Sequence, residues 1–462
     1  MDRYDIKISN GRVYTPAGLA DLDLFIRGEK IALLAERRSP LTASREIDAS
    51  GKLIFPGIID MHVHVREPGL THKEDFLTAS QAAAAGGVTT MIDMPNVEPP
   101  TATVKLFEEK KALAQQKSLI DFGHFVSGVD PKEIPRLAEV GVTGFKIFQI
   151  SGAYPHDPRL AENDPAKLLQ SFKAVSKTGL ICVVHPFNQS LFDYFSDEAF
   201  AGGKPRSIVT FSELYTKDIL WSSAVALLIC LQRESGVRLH VVHTHAANSL
   251  KMLKIAKSQG QQITVEIDPK YYHLTHEDLR TKGPIALPGG YITEDEERMR
   301  TIWESFSDGT IDVIASEHAP HTMEELAVGN TDAWASALGN PHLEHFFSIL
   351  MTDCHKGKMR MDTLVRVLSE NPARILGVYP QKGALLPGSD ADMVIVDWNR
   401  ERIIDNKGLY TKVGQSPWAG WKVKGVPVAT IARGRIVAEN GNVTGKPGAG
   451  HYLSARPNPE RL

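Results

Sequence analysis

From about residue 55 to residue 320 the chain repeats one grammar, a short apolar run followed by a longer stretch with apolar residues at helical spacing. Eight such runs stand out, at 55–65, 88–94, 120–127, 144–150, 180–186, 239–245, 262–268 and 311–318. Helical patterns separate most of them, for example at 73–85, 167–177, 213–234 and 294–306. Runs of strand length alternating with helices imply βα units and a parallel sheet, and eight units predict a (β/α)8 barrel over 56–375. A doubly wound sheet satisfies the same alternation. The placing of the polar residues decides for the barrel.

In a parallel barrel the chemistry sits at the C-terminal ends of the strands. The first run ends in His62-Val-His64, and residues two apart on a strand face the same way, so both imidazoles aim into the barrel mouth. The fourth run carries Lys146, the fifth ends at His185, the sixth at His243 and the eighth at Glu317-His318. Four histidines on three strand ends, with a carboxylate on another, suit zinc or a similar divalent ion. Lys146 is the odd member, because an ammonium repels a metal. Buried among cations, a lysine is driven toward the neutral amine, which can take up carbon dioxide as a carbamate whose two oxygens could bridge two metals. The plainer alternative is a lysine paired with a nearby carboxylate.

The segments flanking this region speak differently. Residues 1–55 alternate apolar and polar positions in short runs broken at Asn10-Gly11 and Gly28, and the same pattern returns over 376–462, with a turn at Asn440-Gly441. The two ends carry similar hairpin sequences, Ile8-Ser-Asn-Gly-Arg-Val and Ile431-Ala-Arg-Gly-Arg-Ile. Neither is long enough to bury much core alone, so a composite β-sandwich built from both termini is expected. A net charge of −3 offers no field to recruit nucleic acid or an anionic membrane. The cysteines, Cys182, Cys230 and Cys354, are odd in number and scattered, which fits a reducing cytoplasm. The N-terminus lacks the apolar stretch of a signal peptide, and the apolar run at 224–231 is too short to span a membrane.

These motifs resemble those of the cyclic amidohydrolases, the dihydroorotase, allantoinase and hydantoinase group. The resemblance lies in Pro56-Gly-Ile-Ile-Asp-Met-His-Val-His-Val-Arg-Glu-Pro-Gly, Ala84-Ala-Gly-Gly-Val-Thr-Thr-Met-Ile-Asp-Met-Pro-Asn, Gly144-Phe-Lys-Ile-Phe, Leu239-His-Val-Val-His and His318-Ala-Pro-His321. It continues through Asn371-Pro-Ala-Arg-Ile-Leu-Gly to Ser416-Pro-Trp-Ala-Gly-Trp, so it runs the length of the chain. It implies two divalent ions held by His62, His64, His185, His243 and Glu317 and bridged by carboxylated Lys146, with zinc the best fit and manganese, cobalt or iron alternatives. Ions so held acidify a water and polarise a ring carbonyl, and Glu317 would relay the proton to the departing ring nitrogen. The substrate class is a small cyclic amide, and the assembly a homodimer or homotetramer. Arg66, Asn96 and His321 match positions that hold the substrate carboxylate in dihydroorotases, which makes a dihydroorotase-like activity the best single expectation. Hydantoinase, allantoinase or cyclic imide hydrolase is the alternative, and Gly144-Phe-Lys-Ile-Phe leans that way. A guanidinium fork suits a carboxylate. Pairing of Arg66 with Glu67 or Glu74 is the structural alternative. A non-catalytic relative is disfavoured by retention of the ligands, and a mononuclear deaminase by Lys146.

The sequence departs from the family pattern in three places. Glu317 stands where the pattern has aspartate, and one methylene moves a carboxylate by about 1.3–1.5 Å, where catalysis tolerates about 0.5 Å. Gly283-Pro-Ile-Ala-Leu-Pro-Gly-Gly-Tyr replaces a segment resembling Asn-Pro-Pro-Leu-Arg. Glu266-Ile-Asp-Pro-Lys-Tyr replaces Glu-x-x-Pro-His.

Overall fold

The computed structural model describes residues 4–150, 157–287 and 295–459, so the 288–291 part of the glycine-rich departure lies outside the described residues. The eight expected strands are present as Ile58–Val63, Val88–Asp93, Asp121–Ser127, Gly144–Phe148, Ile181–His185, Arg238–Val241, Ile263–Ile267 and Val313–Ile314. Each lies parallel to the next in chain order. The ring closes where Val63 bridges His318 and the His64 amide donates to the His318 carbonyl at 2.7 Å. This is a (β/α)8 barrel.

Local signals set the surrounding helices. Asp75 caps Phe76–Gly86 through a reciprocal pair with Thr78, and Gly87, at φ 92°, ends it. The expected single helix at 213–234 is instead two, Ile208–Tyr215 and Asp218–Ser235. The break costs little because the carbonyls it frees find other donors. Trp221 Nε1 donates to the Tyr215 carbonyl at 2.8 Å, and Arg298 Nη2 to that of Thr216 at 2.9 Å. The 224–231 run lies in the second helix, with Ala224, Val225 and Leu228 buried.

Both chain ends join one ten-stranded sheet. The junction pairs Leu53–Pro56 antiparallel with the start of Met393–Ile403. Its apolar side draws on both ends, with Ile8, Leu24 and Ile54 packed with Met393, Ile395 and Ile431, which makes the sandwich composite. The C-terminal hairpin forms around Arg433-Gly434, and Asn440-Gly441 turns with positive φ at both residues. Asn10-Gly11 differs. The strands on either side of it, Tyr4–Ser9 and Arg12–Thr15, do not pair with each other, because both take the ten-residue strand Gly18–Arg27 as antiparallel partner. The turn is a corner and not a hairpin.

A buried ion cluster fastens the sheet to the barrel. Lys382 Nζ reaches Asp121 at 2.6 Å, Asp392 at 2.5 Å and Asp390 at 3.2 Å, and Arg433 Nε adds a second contact to Asp121 at 2.8 Å. Removing one partner from such a set leaves charges stranded away from water, at a cost of about 3–5 kcal/mol. Lys382→Met is therefore expected to lower the thermal midpoint by several degrees while the folded fraction keeps its activity. An unchanged midpoint would show that the cluster contributes nothing net.

Candidate metal centre

Register and period place the site. Lys146 pairs with Val183 and Phe148 with His185, so these side chains face the barrel interior, while Phe145 and Ile147 pack outward under the helices. His62 and His64 enter from the first strand and the turn after it. His243 stands two residues past the sixth strand and Glu317 three past the eighth. His243 has φ 55° and Glu317 φ 47°, and Arg66 shares this left-handed backbone at φ 69°. Such conformations cost on the order of 1–3 kcal/mol each in a residue with a side chain, and concentrate at functional sites.

The imidazoles are oriented by partners on the side away from the centre. His62 Nδ1 meets Glu266 Oε1 at 2.6 Å, His64 Nδ1 meets Asn96 Oδ1 at 2.7 Å, and His243 Nδ1 meets Asp268 Oδ2 at 2.8 Å. With these oxygens accepting, the proton sits on Nδ1 and Nε2 is left bare. The bare atoms converge. His64 Nε2 lies 3.3 Å from His62 Nε2, and His243 Nε2 lies 3.1 Å from Glu317 Oε1. The His185 ring centroid is 4.8 Å from that of His243, which is 4.7 Å from that of His62.

Electrostatically this arrangement is incomplete by itself. Burial, before any neighbouring charge, holds all four imidazoles well below their ordinary pKa, so protons do not fill the gaps between them. Burial also raises the Glu266 carboxyl and lifts that of Asp268 to about 7. Lone pairs facing one another at 3.3 Å, beside a carboxylate, repel unless a cation lies between them. The His185 Nε2 and the Lys146 Nζ are both buried and find no hydrogen-bond partner among the described residues. Burial pushes the Lys146 amine down to about 7, against the opposing pull of the Glu266 and Asp268 charges. The donor set is thus chemically suited to divalent cations, and Lys146 is suited to carbamate formation.

The other expected residues fall around this centre. Asn96 gives its carbonyl to His64 and also lines a cleft of about 570 Å³ shared with Lys73, His321 and Glu325. Arg66 is fully buried, with Nε donating to the Pro320 carbonyl at 3.2 Å and Nη2 to His321 Nε2 at 3.0 Å. Glu67 pairs with Lys117, and Glu74 accepts from Thr411 at 2.5 Å. His318 points away from the centre. Its Nδ1 accepts from the His342 amide at 3.1 Å, and its Nε2 lies 3.3 Å from Glu74.

Sequence reasoning marked the segment of Glu266, Asp268 and Lys270 as a departure but gave none of the three, which leave the seventh strand at alternate positions, a role in the site. Glu266 spans His62 and, at 3.1 Å, His240 Nε2. Lys270 forms a buried ion pair with Glu317 Oε2. Acids facing inward on a buried strand were the available signal.

The profile of the Amidohydrolase family matches residues 53–437. The L-hydantoinase of Paenarthrobacter aurescens is 32% identical over 98% of both chains. The allantoinase of Deinococcus radiodurans is 31% identical over 96% of this chain and 97% of its own. The solved L-hydantoinase (dihydropyrimidinase) from Arthrobacter aurescens superposes with a TM-score of 0.92 at 31% identity, covering 98% of this chain and all of the other. A barrel whose strand ends converge four imidazoles, and a likeness that spans the whole chain, lead to one conclusion: the protein belongs to the amidohydrolase family.

Proposed function

We propose that the chain opens cyclic amides with two divalent ions held by His62, His64, His185, His243 and Glu317 and bridged by Lys146 as its carbamate. Hydrolysis of a cyclic amide or ureide is the activity that the family and the full-length hydantoinase and allantoinase relatives support. The observation that carries the two-metal reading is the facing pair of imidazole nitrogens of His62 and His64, together with a buried Lys146 whose Nζ has no hydrogen-bond partner among the described residues. Ions held by these residues would supply an acidified water and a polarised ring carbonyl; zinc suits the ligand set best, with manganese, cobalt or iron as alternatives.

The chain's own groups do the rest. Asn96, Glu266 and Asp268 hold the imidazoles in one tautomer. Glu317 takes the proton of the attacking water on Oε1, the oxygen that faces His243, and hands it to the ring nitrogen as the C–N bond breaks. The product is a linear chain ending in a carboxylate at one end and the released nitrogen at the other. The cleft beside Asn96 and His321 admits the ring, and Arg66 behind His321 supports a substrate bearing a carboxylate, as in a dihydroorotase-like reaction. The names of the relatives favour a hydantoin or allantoin ring as the second reading. A homodimer or homotetramer in the cytoplasm completes the proposal.

The deciding experiment is a hydrolysis screen over dihydroorotate, allantoin, hydantoins, dihydropyrimidines and cyclic imides, with bound metal counted on the same sample. Turnover of one ring class at about two metals per chain is expected. A protein that binds no metal and opens no ring would sink the reading. Arg66→Met should raise KM for acidic rings by about 10- to 100-fold, the worth of a charge-assisted contact, and leave neutral rings nearly unchanged. Equal loss on both would remove Arg66 from carboxylate recognition.

A further inference from the structure

Three residues at alternate positions where the seventh strand ends each address a different candidate ligand. Glu266 holds His62 of the first strand, and Asp268 holds His243 beyond the sixth. Lys270 reaches Glu317 beyond the eighth. The first two contacts orient imidazoles. The third orients the carboxylate that carries the proton, and it combines two of the chain's departures from the family pattern, a lysine where histidine is usual and a glutamate where aspartate is usual.

The geometry makes the two changes complementary. Lys270 is fully buried, and its stem is fixed by a short helix, Lys270–His273, whose start is tied down by the Tyr271 amide donating to the Asp268 carbonyl at 3.1 Å. Tyr271 stacks on His245 with centroids 4.4 Å apart and planes at 3°, and His245 Nδ1 donates to the His243 carbonyl at 2.7 Å. The ammonium therefore projects from a rigid ledge next to the imidazole that Glu317 faces. It engages Oε2 of Glu317, while Oε1 stays 3.1 Å from His243 Nε2. A glutamate has one more rotatable bond than an aspartate, and so one more way to swing out of line. A charge-assisted contact to the far oxygen removes that freedom and fixes which oxygen faces the centre.

We propose that Lys270 is the positioning residue for Glu317, pinning its outer oxygen so that the longer side chain presents its inner oxygen to the reaction. The inference rests on the reading of Glu317 as proton carrier, and the test keeps the two apart. Metal content and turnover of the unaltered protein judge that reading first. If either is missing, it is the functional proposal that fails.

With an active protein in hand, Lys270→Met is expected to lower kcat by about 10- to 100-fold, the usual cost of losing a residue that orients a metal ligand. KM should stay within a few-fold, metal content should hold, and the visible absorption bands of the cobalt-loaded protein should shift as Glu317 moves. Glu317→Asp, whose carboxylate falls short of the lysine, should show a comparable loss. The double variant should be no worse than the poorer single one, because both break the same contact. Should the methionine variant not fold, Lys270→Gln keeps half of the methylene stem and a donor but not the charge, and the same loss is expected. Wild-type kcat in either Lys270 variant, or losses that simply multiply in the double variant, would overturn the proposal.

Discussion

Lys146→Ala is expected to lose bound metal and hydrolysis together, with kcat/KM down on the order of 10³-fold or more, because both the bridging group and the charge it brings disappear at once. The argument starts from burial. Lys146 is fully enclosed, its Nζ has no hydrogen-bond partner among the described residues, and the ring of Phe148 lies 4.7 Å away. An amine held near pKa 7 is substantially neutral at the pH of the cell. Its nitrogen can attack carbon dioxide and lose a proton to give a carbamate, which converts a residue that repels cations into one that binds them. Two observations besides activity follow. Metal-stripped protein reloaded in buffer freed of carbon dioxide should recover slowly, and bicarbonate should speed the recovery. A small carboxylate such as acetate, diffusing into the cavity left by alanine, should restore part of the metal binding. Full activity in the alanine variant would end the bridged-centre proposal.

How much of this could be read from the chain alone depended on the range of the signal. Short apolar runs and helical spacing are local, and they marked all eight barrel strands within a few residues. Histidines at strand ends are local too, so His62, His64, His185 and His243 stood out. The partners that tune them are not local in that sense. Glu266 lies 204 positions from His62, and only barrel closure brings them within 2.6 Å. Lys270 looked like an unexplained departure until the fold set it against Glu317. Asn96 was singled out only through the family resemblance, as a substrate contact, and nothing local showed that its carbonyl would be engaged by His64. The break between Ile208–Tyr215 and Asp218–Ser235 escaped because the groups that satisfy it, Trp221 and Arg298, belong to another turn and another helix. Likewise, the corner at Asn10-Gly11 has a hairpin's residues, and only the length of Gly18–Arg27 decides against one.

Glu317→Gln should separate binding from proton transfer. The amide keeps the volume and an oxygen to face His243, so rings should still bind and KM should change little. It cannot take a proton from water at neutral pH, and kcat is expected to fall by about 10²- to 10⁴-fold, the range for loss of a general acid–base group. Lys270 complicates the variant, because its buried ammonium then lacks a carboxylate partner and part of the loss could be misplacement. A thermal midpoint and a metal count on the same sample detect that. The chemical discriminator is the leaving group. If Glu317 returns its proton to the ring nitrogen, rings whose nitrogen leaves readily, such as cyclic imides, need that proton least and should lose least in the variant. Amide rings with a poor leaving nitrogen should lose most. Equal losses across the series would confine Glu317 to the water side of the reaction and require another acid for C–N cleavage.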